Sequence, residues 1–339
     1  MRFHQKYFSL VDGDGRLASS FLTVTNTNGD PDGGIRKGHE KVLQARLEDA
    51  AFFWETDQKQ LLKERVPHLE HVLFQERLGS YLDKTDRLRN ICRCLGGGED
   101  LETAALLCKA DLTTDMVREF PELQGIMGGL YARQEGYPEA TWRAVYDHYK
   151  PVALDDALPD TETGVLLSIA DRIDTIVGCI GVDMLPSGSS DPFGLRRQAQ
   201  GLVSLLLSSA LEVPMVELIG MAQREFSTEK PDGEILEEVQ SFLEKRVNYI
   251  FQREGLSHDV LRAVMSGGIT TVHDAFSRAV ALAEIKGEAD FEALATAFKR
   301  IKNILNKFEG EIPPLEVSRL IEQEEQELHS ACETLKPKV

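Results

Sequence analysis

Between Phe3 and Asn26 the apolar positions fall in two short aromatic or β-branched stretches, 3–11 and 19–26, on either side of Asp12-Gly13-Asp14-Gly15. Such stretches flanking an Asp-Gly turn predict a β-hairpin. A loop rich in Asn, Gly, Asp and Pro runs from Asn26 to Gly34, and beyond it the period lengthens. Val42, Leu43, Leu47, Ala50 and Ala51 recur at helical spacing and predict a helix over 37–53. A two-stranded hairpin is marginal by itself in water, so the strands are expected to belong to a larger sheet and the chain to something longer. From Asp57 to Ala210 the pattern is helix after helix, predicted over 69–82, 85–95, 101–117, 140–149, 163–180 and 192–210. The breaks are Gly96-Gly97-Gly98, Pro121, Gly136-Tyr137-Pro138, Pro159 and Pro186-Ser187-Gly188-Ser189. Glu229 to Gly233 opens a third section with helices over 235–253, 257–264, 271–283 and 291–307. A glutamate-rich helix over 315–334 ends it, either a solvated or a partner-facing element. The expected architecture is mainly α: a hairpin and helix from a truncated α/β domain (1–56), an all-α domain (57–210) and a helical third part (211–339).

Composition narrows the function classes. The 339 residues suffice for two or three cores, and 42% hydrophobic with 28% charged residues is ordinary for a globular protein. The apolar run from Leu202 to Met221 is interrupted by Glu212, Pro214 and Glu217, so no membrane span and a cytoplasmic location are expected. Five cysteines without regular spacing argue for free thiols, and Cys92-Arg93-Cys94 fits neither a zinc ribbon nor a CxxC site. His68 and His71, lacking Cys or carboxylate support, make a weak metal pair. GxGxxG, P-loop and GxSxG signatures are absent.

A net charge of −18 makes the places where cations cluster informative. Asp191-Pro192-Phe193-Gly194-Leu195-Arg196-Arg197 combines a helix-start signal, Asp191 as cap and Pro192 in the first turn, with two arginines that gain only when an anion or acidic partner is near. The densest basic strip is 297–307. There Phe298, Ile301, Ile304 and Leu305 form an apolar stripe, which turns Lys299, Lys302, Asn303 and Lys307 outward as a face suited to phosphates or unpaired bases. A charged helix paired with the glutamates that follow is the alternative.

The word Ala104 to Leu112, with Ala170-Asp171-Arg172-Ile173-Asp174 later, resembles the helical HD phosphohydrolases. In those enzymes a His-Asp doublet, an earlier His and a later Asp hold a metal that activates water. Here Cys108 and Lys109 stand where the doublet belongs, the helix expected to carry the earlier histidine reads Leu82-Asp83-Lys84-Thr85-Asp86-Arg87, and Asp171 alone matches a ligand. The resemblance implies an HD-like scaffold without its metal. A metal-dependent phosphohydrolase and a pure protein-interaction scaffold remain the other two readings.

A wider resemblance covers most of the chain. The words Phe3 to Phe8, Gly38 to Ala50, Leu78-Gly79, Asp83 to Arg87, Cys108 to Leu112, Glu119 to Gly125, Ala170 to Thr175, Asp191 to Arg197 and Lys299 to Leu305 occur in the order found in the β subunit of bacterial tetrameric glycyl-tRNA synthetase. The likeness thins toward the C-terminus, and Gly194 stands where that family often has Ala. It implies an N-terminal body, an HD-like helical domain and a helical anticodon-binding-type segment. It also implies tRNA(Gly) and an α subunit as partners in an α2β2 ligase whose α subunit uses ATP, and no catalytic residue, cofactor or metal in this chain. Lys41, Arg46, Arg196 and Arg197 are expected as phosphate contacts or interdomain pairs, and Lys299, Lys302, Asn303 and Lys307 to face the tRNA.

Overall fold

A computed structural model describes residues 6–27, 29–209, 211–307 and 315–336. Strands β1 (Tyr7–Val11) and β2 (Leu17–Thr23) pair antiparallel, Tyr7 opposite Thr23 and Phe8 opposite Leu22, with a register shift between Ser9 and Val11. This is the expected hairpin, although positions 3–5 lie outside the described residues. Asp12 builds its turn, Oδ1 accepting the N–H groups of Asp14 and Arg16 at 3.0 and 2.9 Å. Helix α1 (Gly34–Asp57) starts where the Asp30 carboxylate accepts the Ile35 and Arg36 N–H groups at 2.9 and 2.8 Å. Tyr7 is buried, its hydroxyl 2.8 Å from His39 Nδ1 of α1.

Helix α2 (Leu62–Arg65) leads through a 3₁₀ turn, Val66–His71, into a second hairpin, β3 (Leu73–Gln75) with β4 (Gly79–Ser80). The helix predicted over 69–82 is replaced by these elements. Gly79 has φ +86°, and a Cβ there would meet Asp83 Oδ2 at 2.4 Å, so the chain turns on a residue that only glycine fits. Ser80 and Asp83 then form a capping box that opens α3 (Tyr81–Cys94). In place of one helix over 101–117 stand α4 (Glu99–Leu107), a 3₁₀ turn over Ala110–Thr113, and α5 (Asp115–Glu119). The Thr113 and Thr114 hydroxyls donate to the carbonyls of Ala110 and Asp111 at 2.8 and 2.6 Å, side-chain competition for backbone groups that favours a turn here, and the Thr114 hydroxyl accepts the Val117 N–H to cap α5. Helix α6 (Ile126–Gln134) follows Gly125, then come α7 (Glu139–Asp147), α8 (Glu162–Gly181) and α9 (Leu195–Ser208).

The expected start of α9 at Pro192 is corrected to Leu195. Residues 191–194 form a turn in which the Gly194 N–H donates to the Asp191 carbonyl at 3.1 Å and Gly194 takes φ +61°. Asp191 still caps the helix, reaching across the turn to accept the Leu195 and Arg196 N–H groups at 2.7 and 3.0 Å.

From Leu167 to Gly181 every residue of α8 is buried, and α3, α4, α7, α9, α10 (Met215–Gln223) and α11 (Asp232–Arg253) pack around it. Helices α10 and α11, assigned by sequence to a third section, thus lie against α8 and α9. Helix α12 (His258–Ser266) packs on α11, and α13 (Val272–Ile285) follows. The chain divides into two compact units, Met1–Ala279 and Val280–Val339. The second holds α14 (Ala289–Leu305), a 3₁₀ turn at Val317–Arg319 and α15 (Gln323–Leu335), which shortens the helix predicted over 315–334. Phe298, Ile301, Ile304 and Leu305, the expected inward stripe of α14, are all exposed, Phe298 at 65%, because no described element of this unit covers that face. No described helix is long and apolar enough to cross a membrane.

Candidate functional site

A helix buried on all sides cannot carry charge without partners, and α8 carries Asp171, Arg172 and Asp174 in one turn. The partners come from three neighbouring segments. Lys84 and Arg87, three apart on α3 and so on one face, reach Asp174: Lys84 Nζ donates to Oδ2 at 2.7 Å and Arg87 Nε to Oδ1 at 2.6 Å. Lys109, just past the end of α4, donates to Asp171 Oδ2 at 2.9 Å. Lys84 Nζ also stands 3.0 Å from Asp171 Oδ1, an ion pair without hydrogen-bonding angles. His148, closing α7, places Nε2 3.0 Å from Lys109 Nζ, and the Tyr149 ring centroid lies 4.0 Å from the same ammonium.

The electrostatics follow from that packing. Burial alone would raise the Asp171 carboxyl, but the Lys109 and Lys84 ammoniums outweigh it and hold the group below the usual carboxylate range. Burial opposes charge on both lysines, yet Asp171 keeps each above its ordinary value, with Asp174 adding to the effect on Lys84. Burial and then Lys109 push His148 down to about 3, so it is neutral at physiological pH. Burial lifts the Cys108 thiol to about 12, and its Sγ donates to the Ala105 carbonyl at 3.3 Å.

These residues do not fit a metal. Two ammoniums occupy the Asp171 oxygens, an ammonium has no lone pair to give, and the protonated Cys108 is turned to its own helix. Among the described residues no group of three His, Cys, Asp or Glu side chains has metal-holding geometry. Of the three positions that the resemblance aligns with metal ligands, Lys109 and Asp171 meet in an ion pair and Cys108 bonds within its own helix. Sequence alone missed Lys84, Arg172 and His148 as members, and the signal for Lys84 was present in the word Asp83 to Arg87.

Behind Lys109 lies Asp111, fully buried, with Oδ2 accepting the Gly125 and Gly128 N–H groups at 2.6 and 3.0 Å while Oδ1 has no partner. Burial, partly offset by those two bonds, raises its carboxyl from 3.8 to about 6. Because the folded-state value is the higher, its stabilising contribution is complete below about pH 4 and lost as pH rises through 6. Compared with Asp111→Asn, the native chain is expected to lose up to roughly 3 kcal/mol of unfolding free energy between pH 4 and 7. Urea titrations across that range check it, and parallel pH profiles for the two proteins would refute it.

The other expected residues are spread widely. Arg46 on α1 pairs with Glu119 of α5, so its charge is spent within the fold, while Lys41 is exposed and unpaired among the described residues. Arg196 Nη2 donates to the Gly188 carbonyl at 2.9 Å, and Arg197 is exposed. Lys299, Lys302, Asn303 and Lys307 are exposed on α14 and just after it, none paired with an acid among the described residues. Arg197 borders a cavity of about 270 Å³ whose wall includes Asp171, Arg172, His148 and Tyr149. A larger cleft of about 570 Å³ is lined by Glu99, Asp100 and Glu162, carboxylates that complement helix N-termini and would repel an anion.

Residues 1–266 match the family described as glycyl-tRNA synthetase beta subunit. The chain is 41% identical over 361 residues to the glycine–tRNA ligase beta subunit of Acidobacterium capsulatum, covering 100% of this chain and 51% of that one. With the protein of the same name from Geotalea daltonii it shares 42% over 318 residues, covering 91% and 46%. For Geobacter sulfurreducens the values are 38% over 348 residues, 100% and 50%. The chain therefore spans about half the length of the curated relatives it matches.

Proposed function

The chain belongs to the glycyl-tRNA synthetase beta subunit family, and from that premise we propose that it binds tRNA(Gly) and docks an α subunit within a cytoplasmic α2β2 glycine–tRNA ligase. In this reading glycine activation and ATP belong to the α subunit, and this chain supplies no catalytic residue and no cofactor. Residues 1–56 contribute to an N-terminal body, 57–210 form an HD-like domain and 211–339 an anticodon-binding-type region. The lysine-filled centre supports a non-hydrolytic role for that HD-like domain.

The observation that carries the tRNA reading is the basic face of α14: Lys299, Lys302, Asn303 and Lys307 exposed without acidic partners among the described residues of a protein whose net charge is −18. Beside it, Phe298 and Ile304 offer apolar surface on which unpaired bases stack or pack. Lys41, Arg196 and Arg197 are further phosphate contacts.

Titration of labelled tRNA at rising salt tests this. Lys299→Ala with Lys302→Ala is expected to weaken binding and to lower the slope of log affinity against log salt by about 1.4 to 1.8, two phosphate contacts at roughly 0.7 to 0.9 each. Unchanged affinity and slope would remove the basic face from the interface, and no tRNA affinity at any salt would favour a protein-interaction scaffold.

A further inference from the structure

The centre beneath the 270 Å³ cavity holds more positive charge than its carboxylates balance. Lys84, Arg87, Lys109 and Arg172 are buried there against Asp171 and Asp174. His148 is neutral, and Asp111, behind Lys109, offsets at most one of the two excess charges. Arg172 is the member that no carboxylate pairs with directly. Its Nε, Nη1 and Nη2 donate to Ser168 Oγ, Gln198 Oε1 and the carbonyls of Tyr149 and Pro151, and it makes no ion pair among the described residues. Carbonyl and amide dipoles solvate a buried guanidinium only in part, and burial outweighs the attraction of Asp171, so that its pKa falls to about 10. The nearby anion, Asp171, is already shared by two lysines, so the arrangement favours a further anion.

The cavity wall is suited to supply a place for one. Arg197 stands at its edge, exposed and without hydrogen bond or ion pair among the described residues. Because Gln198 Oε1 accepts from Arg172, its amide nitrogen remains as a donor, and Gln124 adds a second amide. The two nearby carboxylates do not repel as free charges: Asp171 is held by both lysines, and Asp191 faces the N–H groups that begin α9. We infer that this cavity is a phosphate site, with Arg197 as its outer cation, Gln124 and Gln198 as neutral donors and the Lys109–Arg172 cluster as the charge behind them. A volume of 270 Å³ lies at or below the range of cavities that enclose whole small-molecule ligands. It therefore takes a phosphate group with little of its carrier, whether free phosphate or a phosphate of an RNA strand. The inference does not depend on the α14 face and stands if tRNA binds elsewhere.

Equilibrium dialysis of the chain against radiolabelled orthophosphate at fixed ionic strength tests it. Saturable uptake of one phosphate per chain is expected, at least about ten-fold weaker in Arg197→Ala and unchanged in Arg262→Ala, an exposed basic position on α12 that does not line the cavity; Arg197 is exposed, and equal thermal midpoints in phosphate-free buffer will establish that its variant is folded. Displacement of the label by unlabelled tRNA identifies an RNA phosphate as the occupant, and retention of the label at saturating tRNA identifies free phosphate. Non-saturable uptake, or equal uptake by the native chain and Arg197→Ala, overturns the proposal.

Discussion

Asp171→Ala is expected to lower the unfolding free energy by about 3–5 kcal/mol, a large fraction of what a domain of this size holds. The mechanism is exposure of like charges to each other: without the carboxylate, Lys109 keeps only the neutral His148 and the Tyr149 ring, and Lys84 shares Asp174 with Arg87. Neither ammonium reaches water, since both lysines are at most 2% exposed. Replacing the pair together, Asp171→Leu with Lys109→Met, is expected to restore most of the loss, because a packed apolar pair costs less than a lone buried charge. Lys84 keeps Asp174 in that double variant. Urea unfolding with an unchanged m-value is the measurement, and a loss below about 1 kcal/mol for Asp171→Ala would show that the cluster is not desolvated as described.

How far this centre could be read from the sequence depends on how each member announces itself. Asp171 and Lys109 sit in words that align with a known pattern, so their meeting was legible. His148 is a single histidine following α7, with no ligand spacing, and only the packing of α7 against α4 and α8 delivers it. Long apolar helices were equally legible: α8 was expected over 163–180 and spans Glu162–Gly181. Short elements failed where side chains or glycines overrule periodicity. Residues 69–82 carry enough apolar positions for a helix, but Gly79 at positive φ forces a turn. No helix is predicted between 117 and 140, yet α6 lies there and packs closely on α7, since a Cβ at Gly129 would lie 2.7 Å from Tyr146 Cα. On α14 the periodicity marked the helix, but amphipathic spacing shows that a face seeks cover, not which element supplies it, and no described element of its unit does.

Asp57→Ala is the second change expected to remove about 3–5 kcal/mol, at a site that periodicity alone would treat as the frayed end of α1. The Asp57 carboxylate is buried and accepts four groups from three elements: the Asp115 and Met116 N–H groups that begin α5 and the Tyr131 hydroxyl of α6, each at 3.0 Å, and Arg65 Nη2 of α2 at 3.4 Å. A carboxylate at the first turn of α5 also meets the positive end of that helix. Truncation strands all four donors, one of them a guanidinium left with only the Asp57 and Thr113 carbonyls. Asp57→Asn is expected to cost about half as much, because one oxygen still accepts while the amide N–H₂ confronts groups that also donate. Trp54, on α1 and stacked on Tyr131 with ring centroids 5.1 Å apart, gives a local readout through its fluorescence. If the junction acts as one unit, the Trp54 signal and global unfolding shift together in both variants. A Trp54 change with no loss of global stability would place Asp57 in a locally opening segment, with α1 free to detach before the helices around α8.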